Sequence, residues 1–310
     1  MRAFIFPGQG SQAVGMGKAL ADCSSLAREV FREVDEALGE DLAPLMFEGP
    51  EDRLTLTENA QPAIMANSLA VFRVVESAGA TLTEKASCVA GHSLGEYSAL
   101  CAAGSFDLST TARLLKLRGR SMQAAVPVGQ GAMAVLLGLE LDAVEAVASE
   151  AAQGEGCTAA NDNAQGQVVV SGHKAAVERA VEIAKERGAR RALLLPVSAP
   201  FHCALMEPAA QAMAQALAEA DVQRPIVPLY ANVTAAPVED PREIRRLLVA
   251  QVTGRVRWRE SIAAMAAAGV THFVELGGKV LGPMVKRIAP DAAATSLVSM
   301  ADIEAFVKEI

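Results

Sequence analysis

The sequence has few cysteines, no concentrated basic segment and no long apolar run. Its five cysteines are odd in number and lack CxxC spacing, which argues against a metal site and predicts reduced core thiols. The net charge of −8 is spread over short clusters, which argues against nucleic-acid binding. The apolar stretch after Arg2 ends at Pro7, and no later run reaches membrane length. These absences predict a cytoplasmic protein with no membrane or nucleic-acid partner and no metal.

About half of the 310 residues are apolar, enough to bury a large core. Most of the chain alternates short apolar runs with helix-forming segments, which predicts an α/β fold with a parallel sheet. Between residues 127 and 197 the predicted order changes to βαββαβ, the split βαβ pattern of a ferredoxin-like unit. We therefore expect a large domain formed by residues 1–126 and 198–310, interrupted by a small subdomain at 127–197.

Three local predictions accompany this division. A single helix is expected from Gly15 to Leu38, followed by a polar linker from Phe47 to Thr57. Asn161 and Asn163 are expected in a turn between two strands of the subdomain. There they either adopt the left-handed conformation or line a cleft between the lobes.

The most informative stretch runs from Cys88 to Leu100. Cys88, Val89 and Ala90 predict a buried strand, which Gly91-His92-Ser93-Leu94-Gly95 connects to a helix. This GxSxG pattern between a strand and a helix is typical of a nucleophilic serine held in a strained turn. Ser93 is therefore the candidate nucleophile, and the amide of Leu94 can help stabilise an oxyanion. The alternative is a structural Gly-Ser turn.

The loop PGQGSQ, from Pro7 to Gln12, contains two glycines that allow its backbone to approach another group closely. It lacks the Lys and Ser/Thr of a P-loop and the spacing of a dinucleotide-binding loop, so it does not predict a nucleotide site. Gln61 precedes Pro62 at the start of an apolar helix. It is either a capping or loop residue or part of a site.

Arg118 stands out in the helix predicted from Ser109 to Ala125. At 100° per residue it lies at the centre of the apolar face, whereas Arg113, Lys116 and Arg120 lie on the opposite, solvated face. An arginine directed towards a core requires either a buried acidic partner or an anionic ligand. The helix alone leaves both alternatives open.

A serine nucleophile requires a base, and histidine is the usual choice near neutral pH. His92 is adjacent to Ser93 and is expected to pack under the turn, while His173 and His272 are expected to be structural. His202 follows a predicted strand in a loop stiffened by Pro200, and it is the best candidate by elimination and placement. No acid is evidently available to orient it, so a backbone carbonyl is the alternative.

Several motifs together resemble the malonyl-CoA:acyl carrier protein transacylase family, and the resemblance covers nearly the whole chain. They are PGQGSQ, the Asn59/Gln61-Pro62 segment, GHSLGEYSAL, Arg118-Gly119, NDNAQGQVVVSG, Phe201-His202 and QVTGRVRW. Each is shared with polyketide synthase acyltransferases, but all of them in one chain of this length resemble the discrete type II enzyme. The resemblance implies an α/β-hydrolase-like large domain with a ferredoxin-like insert.

The resemblance also implies roles for individual residues. Ser93 corresponds to the acylated nucleophile and His202 to its partner, while the backbone carbonyl of Gln251 corresponds to the group that orients the histidine. The oxyanion hole corresponds to the amides of Gln9 and Leu94, and the implied substrate-binding residues are Arg118, Gln61, Phe201 and Asn161. Arg118 would pair with the malonyl carboxylate, and Phe201 would favour malonyl over methylmalonyl. One departure is ELGGKVLG, where the family commonly has proline between the two glycines.

The implied reaction is ping-pong transfer of a malonyl group from malonyl-CoA to acyl carrier protein, in a monomer with no permanently bound cofactor. The alternatives are a serine hydrolase or thioesterase, a trans-acting polyketide synthase acyltransferase, and an inactive subunit that only binds carrier protein. Four basic residues either attract an acidic carrier protein or are simply solvated: Lys116, Arg120, Arg190 and Arg191.

Overall fold

The structure is a computed structural model that describes residues 1–309 as a mixed α/β protein. The strands are β1 (Arg2–Phe6), β2 (Cys88–Gly91), β3 (Gly131–Leu137), β4 (Cys157–Ala164), β5 (Gln167–His173), β6 (Arg191–Leu194), β7 (Leu229–Tyr230), β8 (Pro237–Val238), β9 (His272–Leu276) and β10 (Ala293–Leu297). The helices of the first half are α1 (Lys18–Cys23), α2 (Ser25–Leu38), α3 (Leu42–Glu48), α4 (Glu51–Thr55), α5 (Thr57–Ser77), α6 (Leu82–Lys85), α7 (Gly95–Ala102), α8 (Leu108–Ala124) and α9 (Leu141–Ala152). Those of the second half are α10 (Lys174–Glu186), α11 (Glu207–Glu219), α12 (Pro241–Thr253), α13 (Trp258–Ala267), α14 (Gly282–Ile288) and α15 (Met300–Glu309), with a short 3₁₀ helix at Ala204–Met206.

A six-stranded sheet organises most of the chain, in the order β10-β9-β1-β2-β7-β8. Its strands are parallel except for the β7–β8 pair, as the alternation of strands and helices predicts. β1 lies at the centre, and its residues from Ala3 to Phe6 are fully buried. Phe6 is in register with Gly91, so the loops that follow β1 and β2 leave the sheet side by side. This edge carries the site described below.

A second sheet is antiparallel, with strand order β4-β5-β3-β6. Its own apolar cluster includes buried residues of α9 and α10. It is joined to the first unit by a bridge between Asn161 and Val256 and by an ion pair between Asp162 and Arg259. The order of elements from β3 to β6 is the one expected from the sequence.

Two expected segments differ from the structure. The helix expected from Gly15 to Leu38 is two helices, because Ser24 has extended backbone and its side chain accepts a hydrogen bond from the amide of Ala27. The linker expected from Phe47 to Thr57 is largely helical. α4 begins after Pro50, and its first turn carries acidic residues that the helix dipole favours.

The cysteine prediction is wrong for one residue. All five cysteines are free, and Cys88, Cys157 and Cys203 are buried, but Cys23 is exposed at the end of α1. The departure at Gly277-Gly278 forms an ordered turn, in which the Glu275 carboxylate accepts hydrogen bonds from three successive amides of residues 280–282. Among residues 1–309, no helix is both long and apolar enough to cross a membrane.

Candidate active site

Ser93 lies in a strained turn between β2 and α7, as the GxSxG pattern predicts. Its φ angle is 54°, which a residue with a side chain rarely adopts. A Cβ atom on Gly91 would lie 1.9 Å from the carbonyl of Gly95, and one on Gly95 would lie 2.3 Å from the carbonyl oxygen of Phe6. Both flanking glycines are therefore required for the strand, turn and helix to pack this closely.

The structure brings Ser93 and His202 together. The Ser93 Oγ lies 2.7 Å from His202 Nε2, and His202 Nδ1 lies 2.8 Å from the backbone carbonyl of Gln251. His202 also has a positive φ, 58°, so both members of the pair have strained backbone. His202 does not directly follow a strand as expected, because β6 ends at Leu194. The carbonyl acceptor agrees with the absence of an evident acid in the sequence.

His202 is neutral in this environment. Burial, and then the positive charge of Arg118, lower the pKa of the imidazole to about 3. With Nδ1 donating to the carbonyl of Gln251, Nε2 carries the lone pair that faces the Ser93 hydroxyl. This tautomer can accept the serine proton when the hydroxyl oxygen attacks an electrophile.

Arg118 is 1% exposed and directed towards the serine. Its Nη1 donates to Gln61 Oε1 at 2.8 Å, and its Nη2 donates to Gln251 Oε1 at 2.8 Å and to Ser93 Oγ at 3.2 Å. All three acceptors are uncharged, and the buried Nε has no hydrogen-bond partner among residues 1–309. Of the two alternatives that the sequence leaves open, an acidic residue bonded to Arg118 is not observed in the part of the chain that the structure describes.

Lys116 was expected on a solvated face, and this is wrong. Its side chain is only 7% exposed because Glu40 and the polar end of α5 cover it. Its Nζ lies 2.5 Å from a carboxylate oxygen of Glu40 and 2.9 Å from Asn59 Oδ1, and Glu58 lies 3.8 Å away. Arg120, which binds the same two carboxylates, is exposed as expected. The helix alone could not predict Lys116 burial, because Glu40 approaches from a distant segment.

Ser93 opens into a cavity of about 320 Å³ between the two sheets. Each predicted site residue except Gln251 lines it, namely Gln9, Gln61, Ser93, Leu94, Arg118, Asn161, Phe201 and His202. Among residues 1–309, neither the Gln9 nor the Leu94 backbone amide donates a hydrogen bond to another backbone group outside the regular elements. Both amides are therefore available to a bound group. Gln251 lies behind the cavity and is fully buried.

Asn161 and Asn163 do not lie in a turn. Both belong to β4, where the register with β5 is irregular, so the strand continues through the segment that looked like a turn. Asn163 Oδ1 lies 2.8 Å from His92 Nε2, and the His92 ring packs against Trp258. His92 is thus held under the turn, as expected, and it connects the serine loop to the second sheet.

Two polar residues of the site are missing from the sequence interpretation. Asn232 Oδ1 accepts a hydrogen bond from the Ser93 amide at 2.8 Å, and Glu96 accepts one from the Asn232 amide at 3.0 Å. Burial raises the pKa of Glu96 to about 7, opposed by the hydrogen bonds from Asn232 and Gln251. The available signal was an acidic residue within the otherwise apolar helix that follows the serine.

Comparisons with known proteins place the chain in a family. The Acyl transferase domain family matches residues 3–280. The malonyl CoA-acyl carrier protein transacylase of Escherichia coli (strain K12) is 45% identical over 296 residues, which cover 95% of each chain. The chain belongs to the malonyl CoA-acyl carrier protein transacylase family. It is therefore an acyltransferase, as the resemblance implied.

Solved structures of transacylases have the same fold. An acyl-carrier-protein-S-malonyltransferase from Bartonella henselae is 55% identical, with a TM-score of 0.97 and coverage of 99% of this chain and 98% of that one. A malonyl-transacylase solved in complex with its type II PKS acyl-carrier protein is 41% identical, with a TM-score of 0.97 and coverage of 100% and 99%. The mixed α/β architecture is thus that of this transacylase family.

Proposed function

We propose that this protein transfers the malonyl group of malonyl-CoA to the phosphopantetheine thiol of acyl carrier protein, through an ester on Ser93. The observation that carries the proposal is the arrangement around Ser93 Oγ. A neutral His202 lies 2.7 Å from it, and a buried Arg118 with no carboxylate partner lies 3.2 Å from it. A nucleophile and a base beside a cation that has no hydrogen-bonded carboxylate suit an acyl group that carries its own carboxylate.

In the first half-reaction, Ser93 Oγ attacks the thioester carbonyl while His202 Nε2 takes the hydroxyl proton. The carbonyl oxygen becomes an oxyanion that the amides of Gln9 and Leu94 stabilise, each contributing roughly 10²-fold or more in rate. The bond from carbon to sulfur then breaks, and His202 returns its proton to the departing coenzyme A thiolate. The product is a malonyl-serine ester.

In the second half-reaction, the carrier-protein thiol gives its proton to His202 and attacks the ester carbonyl. The bond from carbon to Ser93 Oγ breaks, and the proton moves from His202 to the serine. The carbonyl of Gln251 keeps Nε2 directed at the reacting atoms in both steps, which is the function an acidic residue has in other triads. No net proton is consumed.

Arg118 selects the substrate in this proposal. Two N–H groups of a guanidinium can bind both oxygens of a carboxylate, which also orients the ester. Phe201 is largely buried in the cavity wall and limits the space beside the malonyl methylene. Gln61 holds Nη1 of Arg118, and Asn161 lines the cavity from the second sheet.

We further propose that the chain consists of two domains. The parallel sheet supports an α/β-hydrolase-like domain at residues 1–126 and 198–310, of which residue 310 lies outside the described residues. The antiparallel order β4-β5-β3-β6 supports a ferredoxin-like subdomain at 127–197. Carrier protein as partner is supported by the solved complex of a relative and by the exposed Arg190 and Arg191. Lys116 is buried and therefore does not contribute to a surface that attracts the carrier protein. The monomeric state and the cytoplasmic location stay predictions.

Intact-mass measurement after mixing with malonyl-CoA tests the function. We expect a long-lived malonyl adduct that the carrier-protein thiol discharges, and no adduct on Ser93→Ala. Prompt release of free malonate would instead indicate a hydrolase. Carrier binding without any adduct on the unmodified protein would indicate an inactive binding subunit, and discharge only by polyketide carrier proteins would indicate a trans-acting polyketide enzyme.

A further inference from the structure

We infer that Glu96 is a positioning residue: its carboxylate sets the orientation of the Gln251 side-chain amide, which in turn holds the guanidinium that selects carboxylated acyl groups. The inference rests on the proposed function, in which Arg118 binds the malonyl carboxylate. Glu96 itself does not line the cavity, and its hydrogen bonds reach the Arg118 guanidinium through Gln251.

Among residues 1–309, no cation forms a salt bridge with the buried Glu96, and the charge of Arg118 acts on it only through space. It is 1% exposed, and its Oε2 accepts hydrogen bonds from Gln251 Nε2 at 3.0 Å and from the Asn232 amide at 3.0 Å. Its Oε1 has no partner among residues 1–309. A buried carboxylate that is only half satisfied is costly, so its stabilising value for the fold does not account for its presence.

The hydrogen bonds around Gln251 permit one orientation of its amide. The Nε2 group faces three oxygen acceptors: Glu96 Oε2, the Ser93 carbonyl at 2.9 Å and Asn232 Oδ1 at 3.4 Å. The Oε1 atom faces the Arg118 guanidinium. Rotating the amide by 180° would oppose donor to donor at Arg118 and oxygen to oxygen at Glu96. The carboxyl oxygen of Glu96 adds an acceptor at Nε2 and so strengthens this preference.

The correct orientation of Gln251 matters at Arg118. Gln61 Oε1 and Gln251 Oε1 accept from the two terminal nitrogens, and together they fix the plane of the guanidinium beside Ser93 Oγ. Because both acceptors are neutral, they align the group without neutralising its charge. An inverted Gln251 would present N–H groups to the guanidinium and displace it. The loss would affect malonyl transfer far more than transfer of an acetyl group, which has no carboxylate.

The test compares Glu96→Met with Glu96→Gln. Methionine removes the acceptor at similar size, whereas glutamine can keep a carbonyl oxygen at the Oε2 position and turn its NH₂ to the unpartnered side. We expect Glu96→Met to lower the ratio of malonyl to acetyl kcat/KM about tenfold or more, and Glu96→Gln to stay within about threefold of the unmodified ratio. Ser98→Ala is the matched control, since Ser98 is buried on the same helix with an unpartnered hydroxyl and should leave the ratio unchanged.

A double-variant cycle distinguishes positioning from a structural role. In an Arg118→Ala background, adding Glu96→Met should change malonyl kcat/KM by less than about twofold, because the guanidinium that Glu96 helps to position is already absent. Equal loss of malonyl and acetyl transfer, or fully additive losses, would overturn the inference. So would a loss of malonyl preference in Glu96→Gln.

A second variant covers the case in which Glu96→Met does not fold. Gln251→Leu removes the amide but retains the backbone carbonyl that faces His202, so it should reproduce the selective loss of malonyl transfer. Adding Glu96→Gln to the Gln251→Leu variant should not lower the ratio of malonyl to acetyl kcat/KM further. An unchanged ratio in Gln251→Leu would contradict the inference. Failure of the unmodified protein to transfer malonyl would instead overturn the proposed function, so the two failures are distinct.

Discussion

Helix α8 carries two buried cations two positions apart, and their surroundings differ. Lys116 is bonded to the carboxylate of Glu40 and lies near that of Glu58, so its charge is compensated within the protein. Arg118 is bonded to two neutral amides and a hydroxyl, and its charge is not compensated by any hydrogen-bonded carboxylate in residues 1–309. Burial alone therefore does not distinguish a cation that stabilises the fold from one that can bind an anionic ligand.

The difference lies in the chemistry of the acceptors. A carboxylate accepts hydrogen bonds from the buried cation and also neutralises its positive charge. An anionic ligand would then gain little from binding to that cation. A neutral amide satisfies a donor and leaves the charge in place. The Lys116 cluster joins α8 to α5 and to the segment before α3, whereas the Arg118 cluster faces the cavity beside Ser93.

The largest expected effect comes from removing Arg118, the cation without a hydrogen-bonded carboxylate. Arg118→Ala should lower malonyl kcat/KM by about one to two decades, because a charge-assisted pair contributes on the order of 1.5–3 kcal/mol. Acetyl transfer should be unchanged or increased. Steady-state transfer of both acyl groups to carrier protein measures this. If malonyl transfer were unaffected, Arg118 would not bind the substrate carboxylate and would, like Lys116, serve only the stability of the fold.

A smaller effect is expected from removing the compensated cation. Lys116→Met should lower the free energy of unfolding by about 1–3 kcal/mol, because it leaves Asn59 Oδ1 without its donor and leaves Glu40 bonded to the exposed Arg120 alone. Malonyl kcat/KM should stay within about threefold, as followed by denaturant titration and the transfer assay. Arg120→Gln is the control, since it contacts the same carboxylates from an exposed position and should change stability by about 0.5 kcal/mol or less. A selective loss of malonyl transfer in Lys116→Met would remove the distinction between the two clusters.

The smallest effect concerns the influence of the Arg118 positive charge on the pKa of His202. His202 must be neutral to accept the serine proton, so the rate should fall as pH decreases through its pKa, which burial and Arg118 lower to about 3. Removing the positive charge in Arg118→Ala should raise that pKa. The acid limb of acetyl kcat/KM should then move to higher pH by about one pH unit. An acid limb near pH 6.5 in the unmodified protein would contradict the buried, neutral histidine.

Much of the site could be predicted because its signals are local. The GxSxG turn requires a glycine two residues before and two residues after the serine, and the close packing of Gly91 and Gly95 explains why. The burial of Arg118 follows from the apolar face of one helix. The choice of His202 rested on elimination among four histidines, and the structure brings it to Ser93 although the expected strand ends well before it.

Other features could not be predicted, because they depend on contacts between distant segments. Lys116 is buried only because Glu40 packs over it, and Asn161 belongs to a strand only because β5 pairs with an irregular β4. Glu96 and Asn232 become part of the site only when α7 and the end of β7 meet behind the serine. Helical periodicity describes one face of one element and contains no information on what covers it.

The βαββαβ order of the segment from β3 to β6, the strained serine turn and the buried arginine could be predicted from the sequence alone, because each depends on residues close together in the chain. The three-dimensional packing was needed to show which buried cation is bonded to a carboxylate, and which amide orientation holds the other cation. Those outcomes depend on acceptors from separate elements, and the free energy of a buried charge is determined by the groups that surround it in space.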